Sequence, residues 1–173
     1  MRRLIISLIL LFFGCVPVPI ADTFEIKTTY DKFEERTFVS MHNNFLDTRE
    51  LYHRSIALNA GRMETKDGKK SYNLVIVYSG SDWLFIRSGE SLIFLIDGKR
   101  LGLSGPGSSG HRDVRRYGGI TELAFYPTTL ETIKRIAVAK IIEIKIIGKY
   151  YITGRFYQSN FDNFKRFLAE CEK

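Results

Sequence analysis

The chain has 173 residues, 45% hydrophobic and 26% charged, and carries a formal net charge of +7 at pH 7. That length suits one domain able to bury a real core, and the composition is ordinary for a globular protein, without a low-complexity tract or internal repeat. Two cysteines and three histidines (His42, His53, His111), scattered without ligand spacing, offer no metal site, and nothing in the sequence calls for a cofactor.

At the N-terminus, Arg2 and Arg3 precede residues 4–13, which are apolar apart from Ser7. A membrane-spanning helix needs about twenty residues, so this stretch suits the apolar core of a secretory signal. Pro17 and Pro19 stop a helix from continuing. A conventional cut after Ala21 wants a small residue two positions earlier, where Pro19 stands. The run Leu11-Phe12-Phe13-Gly14-Cys15 resembles a bacterial lipobox, in which Leu, a small residue and Gly or Ala precede the cysteine; Gly14 and Cys15 match, while Phe12 and Phe13 are bulkier than usual. The resemblance implies a diacylglycerol on the Cys15 sulfur, cleavage after Gly14 and acylation of the new amine. Each buried methylene then contributes about 0.8 kcal/mol to anchoring. Val16 in place of Asp points to the outer rather than the inner membrane. The expected organisation is a signal peptide over 1–14, an anchor and tether over 15–22 and a single β-rich domain over 23–173.

From Asp22 onward the hydrophobic period is mostly two, which predicts strands. Phe24, Ile26 and Thr28 alternate with Glu25, Lys27 and Thr29; residues 37–41 give a second strand and residues 52–63 a third. Asp67-Gly68 supplies a tight turn into residues 71–79. There Leu74, Val75, Ile76 and Val77 are apolar on both parities, as in a central strand covered on both faces. Residues 83–87, 91–96 and 100–104 are expected to form a meander with turns at 88–90 and Asp97-Gly98, and residues 121–126 one more strand. Helical spacing begins after Pro127, where Thr128 and Glu131 fit a capping box. Leu130, Ile133, Ala137 and Ile141 then fall on one stripe. Residues 141–147 and 150–157 form a hairpin, and Ser159-Asn160 open a last helix whose stripe is Phe161, Phe164, Leu168 and Cys171. Cys171 on that stripe is a small core hydrophobe rather than a nucleophile. The fold class is therefore α+β, mostly antiparallel β in a sandwich or strongly bent sheet, with two helices near the C-terminus. Over residues 72–170 this order is similar to that of small exported bacterial domains of unknown function, a resemblance that transfers no catalytic residue.

The basic excess is local. Residues 15–97 are net −2, whereas residues 98–118 carry Lys99, Arg100, Arg112, Arg115 and Arg116 against Asp113. Within that segment, residues 105–110 spell G-x-G-x-x-G. No apolar helix face follows and no βαβ unit surrounds it, so it is neither a dinucleotide fingerprint nor a P-loop. Residues 105–119 read as a long basic loop, with the five bases as candidate contacts for an anionic ligand or an envelope protein. Nucleic acid is disfavoured by the export signal and by the lack of an aromatic platform among the arginines. Glu122, Glu143 and Lys145 are expected in ion pairs on a solvent face.

No nucleophile elbow or carboxylate pair can be placed in a common site, and catalytic residues are not assigned. The expected function is a lipid-anchored, non-catalytic binding or assembly module of the bacterial cell envelope, held to the membrane through Cys15. The alternatives are a soluble periplasmic or secreted protein binding a small apolar or anionic ligand and, third, an envelope hydrolase built around His53, His111 and an acid.

Overall fold

The computed structural model describes residues 23–48, 54–109, 111–114 and 119–173. Cys15, His53, Arg115 and Arg116 lie outside the described residues, as do the expected signal and tether segments. The chain folds as expected into an antiparallel, β-rich α+β domain with two helices near the C-terminus. β1 (Glu25–Asp31), β2 (Arg36–His42), β3 (Ser55–Thr65), β4 (Lys70–Gly80), β7 (Arg112–Val114) and β8 (Ile120–Thr128) form a six-stranded sheet in the order β1-β2-β3-β4-β8-β7. β5 (Gly89–Ile96), β6 (Lys99–Gly105), β9 (Ile142–Ile147) and β10 (Tyr151–Arg155) form a four-stranded sheet in the order β10-β9-β5-β6. The helices are α1 (Leu130–Val138) and α2 (Gln158–Cys171).

Period-two patterning sets which side chains meet between the sheets. β4 sends Leu74, Ile76 and Tyr78 inward, β5 sends Leu92, Phe94 and Ile96, and β9 sends Ile142, Ile144 and Ile146. These join residues of both helices in one core cluster. β4 is central, paired with β3 on one side and β8 on the other. Asp97-Gly98 makes the β5–β6 turn with φ of 49° and 78°, the geometry a two-residue hairpin requires. The Asp97 carboxylate also accepts from the Lys140 and Ile141 amides, fixing the start of β9 against that turn.

Two segments outside the named strands close the gap between the sheets. On one side residues 44–47 pair first with β3, through Leu46 N to Ile56 O and Leu58 N to Asn44 O. They then reach β10 through Asp47 N to Arg155 O at 2.9 Å and its reciprocal at 3.1 Å. On the other side residues 83–87 lie between β8 and the Gly148 turn. The sequence predicts a strand there; the structure has irregular chain, because the Leu84, Phe85 and Ile86 amides go to a side chain, and only Arg87 N reaches a neighbouring strand, at Ile147 O.

α1 is capped by Thr129, not by Thr128 as the sequence pattern suggests; its hydroxyl accepts from Thr132 N at 3.2 Å. The buried stripe is Ile133, Ile136 and Ala137, while Ile141 lies beyond the helix and is exposed. α2 begins after Tyr157, whose amide donates to Asn160 Oδ1 at 2.7 Å. It packs Phe161, Phe164, Phe167 and Cys171 inward, with Phe167 rather than Leu168 completing the buried stripe. Each of those phenylalanines contributes about 2 kcal/mol of burial. Arg62, buried on β3, donates to the Cys171 carbonyl, a cation placed at the negative end of the helix.

Burial pushes the Cys171 thiol up to about 11, against about 8.5 in an unfolded chain. The folded state therefore favours the neutral thiol; this contribution is intact below about pH 8.5 and is lost as pH rises toward 11. At pH 8, iodoacetamide should leave the Cys171 peptide unmodified in the native chain and label it fully in guanidinium chloride, as mass spectrometry of the digest will show. Labelling at equal rates in both states would place Cys171 outside the core.

Candidate functional site

Glu122 is the most unusual residue of the domain. It sits on β8 with Ile120, Ala124 and Tyr126 on the same inward face, and it is fully buried. The expected surface ion pair is therefore wrong for this residue. Its Oε1 accepts from Leu84 N at 2.5 Å and Phe85 N at 2.9 Å, and its Oε2 from Ile86 N at 3.1 Å and Ser108 Oγ at 2.6 Å. Three successive backbone amides converging in this way make an anion-binding nest, and here the anion is the protein's own carboxylate. A buried carboxylate is tolerated only when its acceptor capacity is filled. Four donors fill it, and Arg112 Nε stands 3.9 Å away.

The nest fixes what the loop displays. Leu84 and Ile86 point into the core, and Phe85 between them is 41% exposed. Phe85 has φ of +51°, a left-handed conformation rare for a bulky residue and maintained only where the surroundings over-determine it. Its amide is held by Glu122, and Arg112 covers its ring at 4.7 Å from the centroid. The same Arg112 donates through Nε to Ser108 Oγ at 3.2 Å. Trp83 packs beside Phe85 with ring centroids 6.1 Å apart.

Residues 105–109 and 111–114 are more ordered than the long loop the sequence suggests. β6 runs to Gly105, Ser108 is buried with its amide on Ile86 O, and Arg112–Val114 pair with β8. Gly107 is required by geometry. Its φ is +78° and an added Cβ would come 2.6 Å from Ile86 O.

The neighbouring end of the sandwich adds a polar cluster. Arg54 donates to Asp82 at 3.1 Å, and Tyr150 OH donates to the same carboxylate at 3.2 Å. The Ser81 hydroxyl, then the Arg54 charge, holds the Asp82 carboxyl below its usual range. Tyr78 donates to Asp82 O, and burial pushes its phenol well up. Arg87 and Lys149 flank the loop through their amides, to Ile147 O and Leu84 O.

Among the described residues, the sequence-predicted bases Lys99, Arg100 and Arg112 do not share one patch. Arg112 belongs to the Phe85 face. Lys99 and Arg100 start β6, about 20 Å along the strand from Gly105, where Arg100 pairs with Glu90 across the hairpin. Glu143 does form a cross-strand pair, with Arg155 at 3.1 Å, and Lys145 lies over the Tyr151 ring. Of the histidines, His42 contacts Ser40 Oγ at 3.0 Å on β2, and the His111 ring packs on Phe125. The two are four strand spacings apart, about 19 Å along the sheet. Among the described residues no group of three or more His, Cys, Asp or Glu side chains could hold a metal ion, and no helix is long and apolar enough to cross a membrane. The sequence reading missed Glu122, although its parity with Ile120, Ala124 and Tyr126 placed it on the inward face. No protein-family model, no curated protein and no solved structure matches the chain.

Proposed function

We propose that this chain is a lipid-anchored, non-catalytic binding module of the bacterial cell envelope, tethered through Cys15. It meets an acidic envelope protein with the face built on Phe85 and Arg112. The observation that carries the contact face is Phe85 itself: an exposed aromatic in a strained conformation, locked by a buried carboxylate and covered by a guanidinium. Strain of this kind is retained where a side chain must be presented in one orientation. An aromatic paired with arginine is the residue combination that dominates binding energy at protein interfaces. Arg87 and Lys149 beside it, and Arg115 and Arg116 in the same sequence segment, supply the charge that an acidic partner would meet. The lipobox-like run ending in Gly14-Cys15 supports the anchor.

Two measurements test the two halves of this reading. Mass spectrometry of membrane-extracted protein should find Cys15 at the N-terminus carrying a diacylglyceryl group and an amide-linked acyl chain; an unmodified Cys15 within a longer chain overturns the anchor. A photo-crosslinking amino acid at position 85 in intact cells should capture one discrete envelope protein, and Arg112→Glu should abolish capture. The same probe at Phe33, an aromatic 86% exposed at the tip of the β1–β2 hairpin, is the control. Equal capture from positions 85 and 33 overturns the contact face.

A further inference from the structure

A second surface, separate from the Phe85 face, has the construction of a ligand site. The outer side of the four-stranded sheet forms a groove of about 680 Å³, a volume in the range that holds a small organic ligand. Its floor is Ile93 and Leu95 on β5, the latter 41% exposed. Asp47 and Thr48 raise one wall, because the backbone bridge from Asp47 to Arg155 carries that segment along the edge of β10. Register brings the rest together. Leu95 stands between Arg100 and Glu143, and Ile93 stands beside Lys145, which in turn faces Thr153.

The charges around this floor are unequally satisfied. Arg100 is paired with Glu90, and Arg155 with Glu143 at 3.1 Å. Asp47 has an interaction of its own. Lys145 makes no ion pair among the described residues; its ammonium rests 4.2 Å from the centroid of the exposed Tyr151 ring. Lys145 is an only partly exposed residue, and a cation beside aliphatic side chains gains more from an anionic partner than one in open water, because the local dielectric is lower and water competes less. One uncompensated cation at the edge of a two-residue aliphatic floor defines a ligand with one negative group and a compact apolar body. A polyanion would have to strip the two arginines of their glutamates, and a cation would meet Lys145 unfavourably.

The geometry points to a binding site for a small monoanionic amphiphile, its apolar body on Ile93 and Leu95 and its acid group on Lys145. The site is independent of the anchor and of the Phe85 face. The test uses the chain from residue 15 onward with Cys15→Ser, which takes no lipid and needs no detergent.

The probe is 8-anilinonaphthalene-1-sulfonate, an aromatic body with a single sulfonate. Its fluorescence should rise saturably at one site per native chain, and decanoate should displace it while decylammonium does not. Lys145→Gln should weaken both the sulfonate and decanoate by about tenfold, the scale of one charge-assisted contact. Leu95→Glu should remove binding, and Arg112→Ala should leave it unchanged. Cooperative thermal melts of each variant separate loss of the site from loss of the fold. The inference is overturned if the native chain gives no saturable signal, if decylammonium displaces the probe as well as decanoate does, or if Lys145→Gln binds within twofold of the parent.

Discussion

Glu122→Ala is expected to lower the unfolding free energy by about 4 kcal/mol, the scale for removing one partner from a buried charged network. The substitution deletes no large apolar area, so the effect is electrostatic and hydrogen-bonding in origin. It leaves the Leu84, Phe85 and Ile86 amides and the Ser108 hydroxyl without their acceptor, and each unsatisfied buried donor costs about 1–3 kcal/mol before water or relaxation recovers part of it. Glu122→Gln should be nearly as damaging. One carboxylate oxygen becomes an NH₂ facing either the Leu84 and Phe85 amides or the Ile86 amide, donor against donor. Urea unfolding gives the stability, and native-state hydrogen exchange at Leu84, Phe85 and Ile86 gives the location. A loss below about 1 kcal/mol for both variants, with those amides still protected, would show that the loop is held by its packing alone.

Asn44→Ala is expected to cost about 3 kcal/mol, a large effect for so small a side chain. Asn44 is fully buried in the segment that joins the two sheets. Its Nδ2 donates to Leu58 O at 2.8 Å, and its Oδ1 accepts from Asn160 at 2.8 Å and Asn163 at 3.0 Å on α2. Its own amide donates to Asn59 Oδ1, and Asn160 also donates to Phe45 O. One amide side chain therefore ties β3, the bridging segment and the last helix to each other. Because the groups form a network, Asn160→Ala in the Asn44→Ala background should cost well under its cost in the parent. Additive losses in that double-mutant cycle would mean that α2 is held by its phenylalanines and the amides act separately.

The contrast between these two sites explains what the sequence reveals. The strands are legible because one face of each is buried and the period of two survives tertiary packing, as in Leu74, Ile76 and Tyr78 or Ile142, Ile144 and Ile146. Asp67-Gly68 and Asp97-Gly98 are legible because few residues accept a positive φ. The helices are legible from the spacing of Ile133 with Ala137 and of Phe161 with Phe164. What escapes is everything decided by distant partners. Residues 83–87 carry strand composition, yet the three central amides are taken by a carboxylate 36 to 38 positions away, and no local pattern encodes that choice. The pairing of β5 with β9 and the bridge from Asp47 to Arg155 are equally non-local. The basic segment was visible as composition, but its division between the Phe85 face and the far end of β6 follows from where the β5–β6 hairpin turns. Glu122 is the instructive case. Its charge predicts a surface place, while its strand register with three inward neighbours puts it in the core.

The dependence of the bridging segment on α2 also sets a clock. Asn44 finishes its bonding only when Asn160 and Asn163 exist, more than a hundred residues later in the chain, and Arg62 waits for the Cys171 carbonyl at the very end of the last helix. A nascent chain emerging N-terminus first leaves the faces of β2 and β3 that α2 covers open until that helix has emerged. Contacts of such sequence separation form late. For the exported chain proposed above this ordering is useful: the polypeptide stays threadable while it is being made, and α2 acts as the latch that commits it to its compact form.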